Sequence, residues 1–251
     1  MTRRKPPSAG NSTAWRRTWI WAAVGLLIST LLSPVLEVAL VRWINPPVTP
    51  LMLLRQIEAR FDGRHSQQRL YEWRNIGQMP RDFLKAAWVS EDQRFFQHHG
   101  FDWREIQLAR QRSERTGQDA RGASTITMQC ARSLFLWQGR SWVRKGLEAY
   151  YTFWMELFLS KRRILELYAN VIEMGDGVYG IEAAARAHYG VEARALSHNQ
   201  CVMLAALLPN PREWDPKNPT PKLLARFQKT SRQEPSLHFP LGEKKGMTKP
   251  E

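Results

Sequence analysis

The chain has 251 residues, which suffices for one sizeable domain with a hydrophobic core. Lysine and arginine total 37 against 23 aspartates and glutamates, a formal net charge of +14. Such an excess favours anionic partners over cationic ones: nucleic acids, anionic membrane surfaces or phosphorylated substrates. It does not specify a fold.

An uncharged apolar stretch near the N-terminus predicts a membrane anchor. Residues 18–36 read TWIWAAVGLLISTLLSPVL, close to the ~20 apolar residues that cross a bilayer. Basic residues precede this stretch without any acidic one, so the positive-inside rule places the N-terminus in the cytoplasm. We therefore predict a cytoplasmic basic segment over 1–17 and a transmembrane anchor over 18–41. A cleaved signal peptide is the alternative, but the stretch is long for one and lacks a clear cleavage site.

The rest of the chain predicts one mainly α domain over 42–220 and a basic, partly disordered tail over 221–251. Residues 81–110 look helical with an interruption at His99 and Gly100, and the polar stretch 111–123 predicts a loop. Apolar residues recur at helical spacing in several later segments, while strand signals are weak. After residue 216 the composition turns to lysine, proline and serine without periodicity.

The only two cysteines, Cys130 and Cys201, lie in apolar surroundings. A lone cysteine usually behaves as a small apolar residue, so we predict two buried free thiols. A disulfide stays open as an alternative if both positions lie outside the cytoplasm.

An acidic pair stands among aromatic residues in SEDQRFFQHHG, residues 90–100. In a helix, Glu91, Phe95 and His98 would share one face. A glutamate beside aromatic rings is partly desolvated, which raises its pKa towards the range useful for proton transfer. A surface acid at a helix start explains this stretch equally well. No third ligand accompanies the adjacent histidines at metal spacing, so the sequence does not predict a zinc site.

Two later clusters could bind an anion. In RGASTITMQCARSLF, residues 121–135, small and hydroxyl residues precede a helix whose free N–H groups can hold an anion. An ordinary capped helix is the simpler explanation of that stretch. In RKGLE, residues 144–148, two cations and an acid share a helix face, which suits a diphosphate. An intrahelical salt bridge is the alternative there.

Together and in this order, the three clusters resemble the glycosyltransferase domain of bacterial peptidoglycan synthases. That family shows E-D-x-x-F-x-x-H-x-G, then G-G-S-T-I-T-Q-Q, then R-K-x-x-E. The corresponding stretches here are EDQRFFQHHG, GASTITMQ and RKGLE, and the resemblance covers about residues 45–216. With one anchor and one domain, the chain is similar to the monofunctional, membrane-anchored biosynthetic transglycosylases.

This resemblance implies a lysozyme-like fold with two lobes around a cleft, close to the membrane. It implies that the substrate is lipid II, a disaccharide-peptide on undecaprenyl diphosphate. The implied reaction polymerises lipid II into β-1,4 glycan strands with inversion at the donor anomeric carbon and releases undecaprenyl diphosphate. The implied location is the bacterial inner membrane, with one membrane pass and a periplasmic catalytic domain. Other cell-wall synthases and division proteins are conceivable partners, whereas nucleic acid is not expected.

The resemblance also assigns roles to residues. Glu91 matches the general base that deprotonates the acceptor 4-hydroxyl, and Glu148 matches a second glutamate near the donor diphosphate. The sequence itself requires no cofactor, and the resemblance admits Mg²⁺ or Mn²⁺ near the diphosphate, in contact with Glu148. The positions expected near substrate phosphates or sugars are Asp92, Phe95, Ser124, Gln129, Arg132, Arg140, Arg144 and Lys145.

Three positions depart from the family pattern. Ala123 replaces a usual glycine, which is harmless only if its φ is negative. Met128 replaces the first glutamine and removes a polar contact, and Arg132 replaces a usual lysine with a different donor geometry.

Two other functions stay open. A catalytically weak scaffold of a cell-wall complex has Ala123 and Met128 as its only support. A lysozyme-like enzyme that cleaves glycan is disfavoured by the paired cations beside Glu148 and by the anchor. A nucleic-acid binder would need a cytoplasmic location, against the predicted topology, and stacking aromatic residues that the sequence does not reveal.

Overall fold

The computed structural model describes residues 12–61, 70–117, 123–139 and 141–241. Residues 1–11 of the predicted cytoplasmic segment and residues 242–251 of the predicted tail lie outside the described residues. Within the described ranges the helices are α1 (Ser12–Val41), α2 (Pro50–Phe61), α3 (Arg81–Glu91), α4 (Trp103–Thr116), α5 (Ile126–Phe135), α6 (Trp142–Phe158), α7 (Lys161–Val171), α8 (Gly180–Tyr189), α9 (His198–Leu207) and α10 (Pro221–Gln233). The prediction of a mainly α protein is confirmed.

The first helix is the predicted anchor. Its segment Trp15–Val41 is long and apolar enough to cross a bilayer. The C-terminal half of α1 packs against α6. The Tyr150 hydroxyl donates a hydrogen bond to the Leu31 carbonyl at 2.7 Å, and the Tyr151 hydroxyl donates one to Glu37 Oε2 at 2.7 Å. These bonds attach α1 directly to α6, the helix that carries the RKGLE motif.

The centre of the domain is α5, around which α2, α6 and α7 pack. All of its residues except Arg132 and Phe135 are buried. The helix is capped by Thr125, whose hydroxyl accepts from the Met128 N–H at 3.2 Å and donates to the Gly100 carbonyl at 2.7 Å. Both cysteines are buried and free, as the sequence predicts.

A small sheet closes the domain beside α8. Its strands are β1 (Leu70–Tyr71), β2 (Glu173–Gly175) and β3 (Val178–Tyr179), in the order β1-β3-β2. Strands β1 and β3 are parallel, and strands β3 and β2 are antiparallel. Strands of two or three residues carry little period-two signal, which explains why the sequence indicates them only weakly.

The structure differs from the helix predicted over 81–110. Helix α3 ends at Glu91, and Asp92 has an extended φ of −161°. The Asp92 carboxylate accepts from the Ile126 N–H at 3.0 Å and contacts His98 Nε2 at 3.0 Å, and these contacts hold the chain out of the helix. The expectation that Glu91, Phe95 and His98 share one helix face is therefore wrong. Helix α4 also runs into the predicted loop over 111–123, ending where Gly117 adopts a left-handed φ of +66°.

The folded domain extends beyond residue 220, where the sequence predicts a partly disordered tail. Helix α10 begins after Thr220, whose hydroxyl accepts from the Leu223 N–H at 3.3 Å, and it has proline in its first turn. Leu223 and Thr230 are buried, and Phe227 packs against the core between them. This spacing of four and three residues is a helical apolar face that the abundant lysine and proline obscure.

The start of α8 tolerates only glycine. Gly180 has a φ of +79°, and its N–H donates to the Ile172 carbonyl at 2.9 Å. A Cβ added there would lie 2.3 Å from the carbonyl oxygen of Asn170. Asn170 cannot yield, because its side chain accepts from the Arg74 N–H at 2.8 Å and donates to the Arg74 carbonyl at 2.9 Å.

We predict that Gly180→Ala lowers the free energy of unfolding by about 2 kcal/mol or more, because strained backbone alone costs about 1–3 kcal/mol. Thermal unfolding of the full chain in detergent measures the loss. Gly77→Ala is the control, since nothing lies within 4 Å of an added Cβ and its φ is not left-handed. Equal midpoints for the two variants would contradict the prediction.

Candidate active site

A cavity of about 520 Å³ opens where α3 ends, α5 begins and α10 passes over them. Its lining is strongly polar. Its lining includes the polar side chains Glu91, Asp92, Ser124, Arg226 and Lys229. The second cluster of the sequence thus meets the first at one cavity, because Asp92 ties the start of α5 to the end of α3.

The carboxylate of Glu91 is held from two sides. Its Oε2 accepts from Gln129 Nε2 at 2.9 Å, and its Oε1 accepts from Arg226 Nη2 at 2.8 Å. Gln129 is itself oriented by the Tyr168 hydroxyl, which donates to its Oε1 at 3.3 Å. The side chain of Glu91 is only 10% exposed. Burial raises the pKa of Glu91 above its usual value, while Arg226 and Gln129 oppose that rise. A buried, oriented carboxylate with a raised pKa at a cavity can serve as a proton acceptor.

Two residues of the EDQRFFQHHG motif, Asp92 and Phe95, make contacts that stabilise the fold. Asp92 lines the cavity, but both of its oxygens contact His98 Nε2 at 3.0 Å and one also accepts from the Ile126 N–H. Phe95 is fully buried, with Lys161 Nζ 4.4 Å from its ring centroid. The expectation that Phe95 contacts substrate therefore disagrees with its position, because the helix break at Asp92 turns the ring into the core.

A second cavity of about 420 Å³ lies beside the C-terminal half of α5. Two of the predicted cations, Arg132 and Arg144, line it together with Ser133 and Glu173. Burial raises the pKa of Glu173, and the charges of Arg55 and Arg212 oppose that rise. Two guanidinium groups at one concave surface suit an anion with several oxygens, such as a diphosphate.

The second predicted glutamate holds these cations in place. Glu148 is 1% exposed, and its Oε2 accepts from Arg144 Nη1 at 3.3 Å. Its Oε1 accepts from Lys145 Nζ. Lys145 is 44% exposed, so its ammonium group reaches solvent while the buried Glu148 fixes its position. Glu148 is therefore paired with the two cations and does not face an open surface.

A Mg²⁺ or Mn²⁺ ion, which the resemblance admits near the diphosphate, would have to compete with these cations for Glu148. Both oxygens of Glu148 are already bound to cations, and a metal ion would have to displace them. Across the described ranges, no three His, Cys, Asp or Glu side chains lie together as ligands for an ion.

The remaining predicted positions divide as follows. Ser124 lines the first cavity, and so does Ala123. No described residue other than glycine has a left-handed φ, so alanine at position 123 is unstrained. Met128 is buried in the domain, where a methionine packs well. Arg140 lies outside the described residues.

Sequence reasoning missed Arg226 and Tyr168, the residues that complete the surroundings of Glu91. Tyr168 is fully buried on α7, where its apolar spacing indicates only a core position. Arg226 lies on α10, inside the stretch predicted as a tail. The pair Thr220-Pro221, followed by apolar residues at helical spacing, was the available signal for that helix.

Comparisons with known proteins show the family of the chain. The family model described as "Transglycosylase" matches residues 57–233, which include the first cavity, all of the second cavity's lining except Leu51, and α10. A biosynthetic peptidoglycan transglycosylase from Xylella fastidiosa (strain M23) is 45% identical over 221 residues, 87% of this chain and 90% of that protein. The protein of the same name from Xanthomonas campestris pv. campestris (strain B100) is 43% identical over 225 residues, 90% of this chain and 91% of that protein. The chain therefore belongs to the transglycosylase family.

Proposed function

We propose that this protein is a peptidoglycan glycosyltransferase that polymerises lipid II into β-1,4 glycan strands and releases undecaprenyl diphosphate. The observation that carries the proposal is the buried carboxylate of Glu91 at one cavity, with paired cations at a second cavity along the same helix α5. Its relatives, named biosynthetic peptidoglycan transglycosylases over most of the chain, support the same reaction.

Glu91 is the proposed general base. A sugar hydroxyl is a weak nucleophile until a base takes its proton. In this proposal the acceptor 4-hydroxyl gives its proton to Glu91 as its oxygen bonds to the donor anomeric carbon. Gln129 keeps the carboxylate facing the cavity, and Ser124 on the cavity wall is available to hydrogen-bond a sugar.

The cations along α5 and α6 are the proposed site of the donor diphosphate. The bond from the anomeric carbon to the diphosphate oxygen breaks as the new glycosidic bond forms, so negative charge grows on the leaving group. Fixed cations stabilise that charge more in the transition state than in the ground state. Arg132, Arg144 and Lys145 fill this role, and Glu148 positions the last two.

We also propose that α1 crosses the bacterial inner membrane once, with its N-terminus in the cytoplasm and the catalytic domain in the periplasm. The basic residues before the apolar stretch support this orientation. The hydrogen bonds between α1 and α6 would then keep the cations of α6 near the membrane in which a lipid substrate resides.

The two positions behind the scaffold alternative give it little support. No described residue other than glycine has a left-handed φ, Ala123 included, and Met128 is buried and lines neither cavity. A glycan-cleaving enzyme would have no use for paired cations along the cleft. Other cell-wall synthases and division proteins remain proposed partners.

We predict that Glu91→Gln lowers polymerisation by at least about 10²-fold, because the amide cannot accept the proton. The substitution is nearly isosteric, so thermal unfolding should change little. The assay follows glycan products from labelled lipid II with the purified full chain in detergent. Glu114→Gln is the control, since Glu114 is an exposed acid of α4 that lines neither cavity. Wild-type turnover in Glu91→Gln would remove this residue from the mechanism.

We predict that Glu148→Gln lowers turnover at least about tenfold, because Arg144 and Lys145 lose the charge that positions them. Glu114→Gln is the matched control here as well, since Glu114 pairs with Arg110 four residues away on an exposed helix face. Turnover is compared per folded molecule, with thermal unfolding measured alongside. A variant that unfolds at lower temperature yet keeps its turnover would show that the ion pair serves stability alone.

A further inference from the structure

We propose that Arg226 is a positioning residue that keeps the Glu91 carboxylate ionised and oriented for proton transfer. This inference rests on the proposed role of Glu91 as general base. It concerns a helix beyond the three motifs of the sequence and assigns that helix a part in the chemistry.

One guanidinium group joins three helices. Arg226, on α10, donates from Nη2 to Glu91 Oε1 at 2.8 Å and from Nε to the Ala206 carbonyl at 3.2 Å. Glu91 is the last residue of α3, and Ala206 lies in the last turn of α9. Because the guanidinium is planar, the bond to Ala206 fixes the direction in which the group meets Glu91.

The position of Glu91 requires a cation. The C-terminus of a helix carries partial negative charge from its unpaired carbonyl groups, so a carboxylate in its last turn is disfavoured. Here the carboxylate lies at the C-terminal end of α3, and the C-terminal end of α9 presents the Ala206 carbonyl to the same guanidinium group. Arg226 offsets this charge by binding the carboxylate and a terminal carbonyl together.

Other charged or titratable groups face Glu91 from each neighbouring helix. Asp92 follows it directly after the end of α3, Arg132 lies on α5, Tyr168 on α7 and Lys229 on α10. Asp92 is paired with His98. Within the ranges that the structure describes, Arg226 is the cation that forms an ion pair with Glu91. Without Arg226 the effect of burial would prevail, and the pKa of Glu91 would rise further.

The apolar face that packs α10 against the domain does not include this arginine. Its inner face consists of Leu223, Phe227 and Thr230, while the side chain of Arg226 is 35% exposed. Replacing Arg226 should therefore leave the helix in place and change mainly the charge at Glu91. That separation allows the positioning role to be tested apart from stability.

The test is the pH dependence of kcat/KM for lipid II polymerisation by the full chain. A base acts only when deprotonated, so a raised pKa moves the acidic limb of the profile to higher pH. We expect Arg226→Gln to move that limb up by about one pH unit. Arg226→Lys should keep the limb near its wild-type position with a lower kcat, because an ammonium group restores the charge without the planar fork. Arg232→Gln, a change at an exposed residue of the same helix, should leave both the acidic limb and kcat unchanged.

A second readout needs no substrate. In protein labelled with ¹³C at glutamate carboxyl carbons, the Glu91 signal is identified by its loss in Glu91→Gln, and its titration midpoint should be higher in Arg226→Gln than in wild type. An unshifted limb and midpoint in an active Arg226→Gln variant would overturn the positioning role and leave the proposed function standing. Wild-type protein that makes no glycan would overturn the proposed function, and the titration would still decide whether Arg226 controls the charge of Glu91.

Discussion

The site depends on one carboxylate, that of Glu91, which is buried at the end of a helix and must stay ionised and oriented. Glu91 lies where burial and helix ends disfavour its charge, so its neighbours must compensate. Gln129 and Arg226 do so from opposite oxygens. Three features bring Gln129 and Arg226 to the same carboxylate: the end of α3 at Asp92, the capped start of α5 and the path of α10.

Helix α5 connects this carboxylate to the cations. Gln129 contacts Glu91, and one turn later Arg132 lines the second cavity with Arg144. Both positions are fixed because almost every other residue of α5 is buried, so the helix cannot shift without disturbing the core. The anchor adds a further constraint through its hydrogen bonds to α6, the helix of Arg144. The proposed proton acceptor, the proposed diphosphate site and the candidate membrane-spanning helix are thus parts of one packed unit.

Much of this was predictable from sequence, and the exceptions have physical reasons. The long apolar first helix and the mainly α fold follow from an uncharged apolar run and from apolar residues at helical spacing. The break after Glu91 did not follow, because it depends on a bond from Asp92 to Ile126, 34 residues away. Arg226 was missed because its pairing with Glu91 spans 135 residues and composition alone suggested a tail.

The most direct test of the account is the stoichiometry and linkage of the product made from lipid II by the wild-type full chain. The account predicts one undecaprenyl diphosphate released for each disaccharide added, in strands that a muramidase specific for β-1,4 links can digest. Strands that resist that muramidase, or no product from folded protein beside an active control enzyme, would contradict it.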